Sequence, residues 1–131
     1  MNLQLLSTRA TKLSLEKKVP ASINVDRSTK TLELKLSNAY AEEDVKTFLV
    51  LFSIKMELDD DMVLDVDYEA EFELDVVVSE DFKNSKFPVI NAPAIAYPFL
   101  RALISNTLLN AGYEPVLLPS VNFVALNKQH P

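Results

Sequence analysis

Six carboxylates at every second position, Asp65, Asp67, Glu69, Glu71, Glu73 and Asp75, are the residues of this 131-residue chain best spaced to act together. In an extended strand, residues i and i+2 share a face roughly 6.5–7 Å apart, so the six form one acidic row. Two carboxylates can serve as general acid and base when a cleft raises the pKa of one of them. Strict alternation places these on an open face, which argues against that chemistry. Asp59, Asp60 and Asp61 raise the question of calcium, but adjacent carboxylates lack the spaced oxygen ligands and glycine turn of a calcium loop. No metal site is expected. The chain has no cysteine and one histidine, His130, so thiolate nucleophiles, cysteine zinc sites and multi-histidine sites are excluded. His130 has no nucleophile beside it in sequence and is read as solvent-exposed. The single glycine, Gly112, rules out glycine-rich phosphate loops. No cofactor is expected, and the chain reads as one that binds without catalysing.

Charge is segregated along the chain. The total of 13 Lys and Arg against 19 Asp and Glu gives −6, yet eleven of the acids lie between Asp59 and Asp81, where there is no Lys or Arg. The remainder is net positive. Like charges at i, i+2 spacing in water repel by a fraction of a kcal/mol, and salt screens them beyond about 8 Å, so one strand tolerates the row. The net charge disfavours phosphate backbones, and no nucleic-acid partner is expected. No run of about 18 apolar residues spans a membrane, and the start lacks the basic and apolar regions of a secretory signal. A cytoplasmic protein without direct membrane insertion is expected, with residues 1–131 as a single domain.

The elements that must position these residues read first as strands. Leu3 and Leu5, then Leu13 and Leu15, place a first strand over Leu3 to Glu16, with Ser7 to Lys12 more polar and bent. Val19 to Lys30, with Pro20, Asn24 and Asp26, is a connection whose length allows a crossover. Leu32, Leu34 and Leu36 mark a second strand, Asn38 to Asp44 a turn, and Val45 to Leu58 a third strand apolar on both faces at its start. Asp59 to Asp61 make a hairpin turn, because short acidic side chains bond local backbone and tolerate unusual dihedrals. The fourth strand, Met62 to Val78, carries the acidic row on one face and Leu64, Val66, Tyr68, Ala70, Phe72, Leu74 and Val76 on the other. A meander is the simplest arrangement.

Five of the seven prolines fall between Pro88 and Pro119, where period two stops. The sequence predicts a helix over Phe99 to Ala111, with Pro98 in its first turn and Gly112 as its stop. Leu100, Leu103, Ile104, Leu108 and Ala111 form one apolar stripe; Phe99, Ala102 and Leu109 add a second flank, which suggests contact with another subunit. Tyr113 to Ser120 reads as a proline-bounded loop and Val121 to Gln129 as a short terminal helix. The fold class is α+β: a four-stranded antiparallel sheet followed by a long helix and a short C-terminal helix.

This layout resembles the SecB family of export chaperones over most of the chain. Pro93-Ala94-Ile95-Ala96-Tyr97-Pro98-Phe99-Leu100-Arg101 is similar to the entry to that family's long helix, Ala111-Gly112-Tyr113-Glu114-Pro115 to its exit, and Val121-Asn122-Phe123-Val124-Ala125-Leu126 to the opening of its last helix. Lys12-Leu13-Ser14-Leu15-Glu16 followed by Pro20 resembles its first strand. The resemblance implies a homotetramer, a dimer of dimers, that holds unfolded or preprotein clients in apolar grooves without ATP and hands them to the SecA motor. It implies an acidic sheet face docking SecA through Glu16, Val63, Asp65 and Asp67, with Lys12 standing where another acid is expected. Tyr97, Phe99, Tyr113 and Phe123 are groove candidates, against the simpler reading that such aromatics pack helix on sheet. A SecB-like chaperone dedicated to an antitoxin of a toxin–antitoxin system and an oligomeric adaptor docking a basic partner are the alternatives. For the acidic row, the plainer reading is a solvated face partly neutralised by Lys35 and Lys55 on neighbouring strands.

Overall fold

The structure, a computed structural model, describes residues 2–18, 31–116 and 118–129. The connection expected over Val19 to Lys30 and the expectation for His130 lie outside the described residues. Four antiparallel strands, β1 (Leu3–Lys17), β2 (Leu32–Ala39), β3 (Thr47–Glu57) and β4 (Met62–Leu74), form one sheet. After it come α1 (Glu80–Lys83), a π-helical segment (Phe87–Asn91), α2 (Ala92–Asn110) and α3 (Phe123–Gln129).

The order across the sheet is β1-β4-β3-β2, which corrects the expected meander. β2, β3 and β4 do follow one another, but β1 lies along the far edge of β4. Period two reports which face of a strand is buried and is silent on its neighbour. The alternating rows of β1 match those of β4, with Leu3 opposite Leu74, Leu5 opposite Phe72 and Leu15 opposite Leu64. The polar middle of β1 holds two β-bulges, in which Leu6 and Thr11 are the extra residues. The β3–β4 hairpin turns through Asp59–Asp61, where Asp60 and Asp61 both take φ of 61°. Aspartate accepts this left-handed region more readily than most residues.

The core lies between one sheet face and the helices. Phe48, Val50, Phe52, Ile54 and Met56 of β3 and the even positions of β4 from Leu64 to Leu74 are buried against Leu100, Ile104 and Leu108 of α2. Each fully buried large side chain contributes roughly 1.5–3 kcal/mol relative to exposure. β4 ends at Leu74 and not at Val78, because Asn2 closes the ladder: its carbonyl accepts from Asp75 N–H at 3.3 Å, and Val76 and Val77 are left exposed. The short α1, capped by Ser79, whose hydroxyl accepts from Phe82 N–H at 3.1 Å, brings the buried Phe82 to within 5.1 Å of Phe48.

The long helix starts earlier than expected, and Pro98 lies inside it. Its missing N–H leaves the carbonyl of Ala94 without a helical partner, and both residues are exposed, so water can satisfy that group. Pro93 occupies the first turn in its place. Gly112, at φ 95°, ends the helix in a Schellman arrangement, with Gly112 N–H donating to Leu109 and Tyr113 N–H to Leu108. By length and composition alone Phe87–Asn110 could cross a membrane, but it lays Leu100, Ile104 and Leu108 on the sheet, as a core helix does. α3 begins at Phe123 because Asn122 Oδ1 caps it, accepting from Ala125 N–H at 3.1 Å.

Candidate functional site

Two surfaces are built by this frame. The first is an apolar cleft of about 380 Å³ at the edge of the core layer beside β2. Leu34 and Leu36, on the core side of β2, form one wall, with Val89 of the π-helical segment and Leu126 of α3 opposite. Lys35, Asn38 and Asn127 supply polar groups at its margin. The Asn38 side-chain amide donates to the Pro88 carbonyl at 3.0 Å and more weakly to the Leu49 carbonyl at 3.4 Å, so it ties the segment carrying Val89 to the sheet. Among the described residues no strand pairs with the outer edge of β2. The arrangement therefore joins a greasy slot to a row of backbone donors and acceptors.

The aromatic groove candidates divide. Tyr97 and Phe123 are buried, packed on each other and, through Tyr97, on Phe52. The Tyr97 hydroxyl donates to the Pro119 carbonyl at 2.8 Å, and burial raises its pKa above the usual tyrosine value against an opposing pull from Arg101. Phe99 is half-exposed on the outer side of α2, in line with Ile95 and Leu109, which are also exposed. Tyr113 is partly buried and packs against the core. The cleft-lining leucines of β2 were legible as a strand face, but nothing in the sequence marked that strand as an edge.

The second surface is the outer face of the sheet. Glu16 lies opposite Val63, Ser14 opposite Asp65 and Lys12 opposite Asp67 across β1 and β4, so the four expected docking residues occupy one corner of one face. Glu16 is exposed, Asp65 and Asp67 are partly buried, and Val63 is covered. On the β3 side Lys55 is opposite Asp65, while Lys35 is opposite Ser53, one strand away from Asp67. Arg9, which sequence reasoning did not single out, forms an ion pair with Glu69.

Among the described residues no group of three His, Cys, Asp or Glu is placed to hold a metal, and no charged or polar residue is buried. Asp75 accepts the backbone N–H of Asn2 at 3.1 Å, and that bond holds its carboxyl below the ordinary range, the opposite of what a general acid needs. A second hollow of about 200 Å³ surrounds Tyr40, whose ring carries the Lys83 amine 5.0 Å from its centroid.

Comparison with known proteins gives one answer. The protein-export protein SecB of Methylobacillus flagellatus is 31% identical over 121 residues, 89% of this chain and 76% of that protein. SecB of Neisseria gonorrhoeae is 31% identical over 106 residues, 80% of this chain and 69% of that one. That of Dinoroseobacter shibae is 26% identical over 113 residues, of which this chain spans 60% of the relative's length. Among solved structures, a Mycobacterium tuberculosis SecB-like chaperone in complex with an antitoxin peptide superposes with a TM-score of 0.69 at 14% identity, covering 91% of this chain and 87% of that one. A Streptococcus agalactiae protein of unknown function shares the fold at TM-score 0.59 and 14% identity, covering 92% of this chain and 98% of that one. Residues 2–131 match the family described as preprotein translocase subunit SecB, and the chain belongs to that family of protein-export chaperones.

Proposed function

We propose that this chain is a holdase that binds unfolded or preprotein segments without nucleotide and keeps them competent for export. The observation that carries the reading is the cleft beside β2. Leu34 and Leu36 alternate along one wall, so an extended segment can lay every second side chain into the slot while its backbone pairs with the strand edge. Such contacts require no defined sequence, which suits unfolded chains. Tyr97 and Phe123 lie in the core that backs α3, whose Leu126 lines the slot, while Tyr113 packs against that core and Phe99 faces away on α2.

Delivery to SecA is the finer part of the proposal, through the Glu16, Val63, Asp65 and Asp67 corner. A role dedicated to an antitoxin is the second reading, favoured by the fold shared with the Mycobacterium tuberculosis chaperone that was solved with an antitoxin peptide. An oligomeric adaptor is the third. The exposed line of Ile95, Phe99 and Leu109 on α2 supports assembly, with a homotetramer built as a dimer of dimers as the expected form.

The test is light scattering of several denatured clients as they aggregate, with no nucleotide present. The protein suppresses aggregation near stoichiometric ratio, and Leu36→Lys weakens client binding by about tenfold or more, since it replaces an apolar wall residue by a charge on the core side of β2. A stoichiometric excess with no effect on any client overturns the chaperone reading. Equal binding of folded and unfolded forms assigns the protein to the adaptor class.

A further inference from the structure

Backbone parity along β2 restricts what its open edge can hold. Successive residues of an antiparallel strand turn their N–H and C=O groups to opposite sides, so each residue of β2 serves either β3 or the edge. Glu57 N–H donates to the Thr31 carbonyl at 3.0 Å, in the same register that sets Glu33 opposite Lys55, Lys35 opposite Ser53 and Ser37 opposite Leu51. The odd positions of β2 therefore bond to β3. The other side of β3 is spent on β4, where the Lys46 carbonyl accepts from Leu74 N–H at 2.8 Å. The backbone groups turned to the edge belong to Leu32, Leu34, Leu36 and Asn38. Leu34 and Leu36 are also the residues that wall the cleft. One set of residues thus offers both the hydrogen bonds and the apolar contact. Glu33, Lys35 and Ser37, between them, are exposed.

We infer that the preferred client is an extended segment with apolar residues at every second position, added antiparallel to β2, and that those apolar residues make the backbone bonds as well as the cleft contacts. The inference rests on the holdase reading and names its substrate class. In an antiparallel pair, two residues that exchange both hydrogen bonds point their side chains to the same face. A client residue bonded to Leu34 or Leu36 therefore puts its own side chain into the cleft lined by Val89 and Leu126. The client residues in between point to the side of Glu33, Lys35 and Ser37, in water. There a charge of either sign finds an opposite one in Glu33 or Lys35, and an apolar side chain gains little. Antiparallel addition is favoured because its bonds are stronger per residue than the slanted bonds of a parallel pair. A continuous apolar run fits less well, since every second side chain stays exposed.

The experiment is fluorescence anisotropy of the full-length protein with a labelled peptide of about ten residues in which Val alternates with Thr and Lys. Its isomer, with the same residues sorted into an apolar and a polar block, binds about tenfold more weakly. N-methylation of the central pair of Val removes the N–H groups aimed at Leu34 and Leu36 and weakens binding about tenfold or more. The same change on the neighbouring Thr, whose N–H groups point to solvent, leaves the affinity within about twofold. Leu36→Lys, with its fold checked by circular dichroism, weakens the alternating peptide too. Equal affinity of the isomers, equal response to both methylation patterns, a loss confined to the Thr positions, unchanged binding by a folded Leu36→Lys variant, or no detectable binding of the alternating peptide overturns the inference. The peptide arms use the parent protein, so they carry the test even if Leu36→Lys does not fold. Aggregation suppression by the parent separates the two ideas. Suppression that persists while the isomers bind alike leaves a holdase with no preference for alternation; its absence overturns the holdase reading, and the peptide arms still decide which segments the edge takes.

Discussion

The rings of Tyr97 and Phe123 meet edge to face, 5.7 Å between centroids and 81° between planes. This contact fastens α3, and with it the Leu126 wall of the cleft, to the long helix. Phe123→Ala should destabilise the protein by about 3–5 kcal/mol, the range for deleting a buried aromatic ring. Tyr97→Phe keeps the ring and loses only the bond to the Pro119 carbonyl, for about 1 kcal/mol. Urea unfolding of both variants measures the difference; equal losses would mean that the hydroxyl, and not the ring, holds α3 in place.

Alkaline pH tests the same residue by another route. Burial raises the Tyr97 pKa above its ordinary value near 10, and burial together with Glu80 raises that of Tyr40. The unfolded chain therefore loses these protons at lower pH than the folded one. The stability they contribute is complete below about pH 10 and declines as pH rises through the folded values. Unfolding midpoints measured from pH 9 upward should fall, and Tyr97→Phe should flatten the fall. An unchanged slope in that variant would assign the decline to other groups.

Asn38 is the tie between the sheet and the far wall of the cleft. Asn38→Ala leaves the Pro88 carbonyl without its donor and should lower stability by about 1–3 kcal/mol. It should also weaken binding of an apolar peptide, because Val89 loses its anchor. Asn38→Asp, which keeps the size and removes the donor, should act in the same direction. Peptide affinity that tracks neither change would separate the cleft from client binding.

The exposed line on α2 predicts self-association. Phe99→Glu combined with Leu109→Glu should shift the solution mass from an oligomer toward the single chain, since both side chains are about half exposed in the isolated protomer and their loss leaves the core untouched. Light scattering or sedimentation reads the result. A parent protein already at the single-chain mass would remove α2 as an assembly surface.

Much of this fold could be read from alternation alone, and the reasons for the gaps are specific. The acidic row of β4 and the apolar row behind it are both where period two places them. The polar, bent middle of β1 was visible, but its two bulges were not, because a bulge changes register without changing composition. That is why Arg9 went unnoticed and Lys12 read only as an oddity. The neighbour of β1 was hidden for a related reason: strand order depends on which rows match across the sheet. Pro98 was read as a helix start because an interior proline ordinarily costs a hydrogen bond in a dry place. Here that place faces water.

The strand order also has a kinetic side. β2, β3 and β4 close through short connections, whereas Leu3 must find Leu74 almost the whole length of the sheet-forming sequence away. During synthesis β1 leaves the ribosome first and its partner last among the strands, so the leading segment, with Leu3, Leu5, Leu13 and Leu15, waits unpaired until β4 emerges. Closing β1 onto β4 is the long-range step, and it sets the pace at which a newly made chain acquires the edge and outer face on which everything else depends.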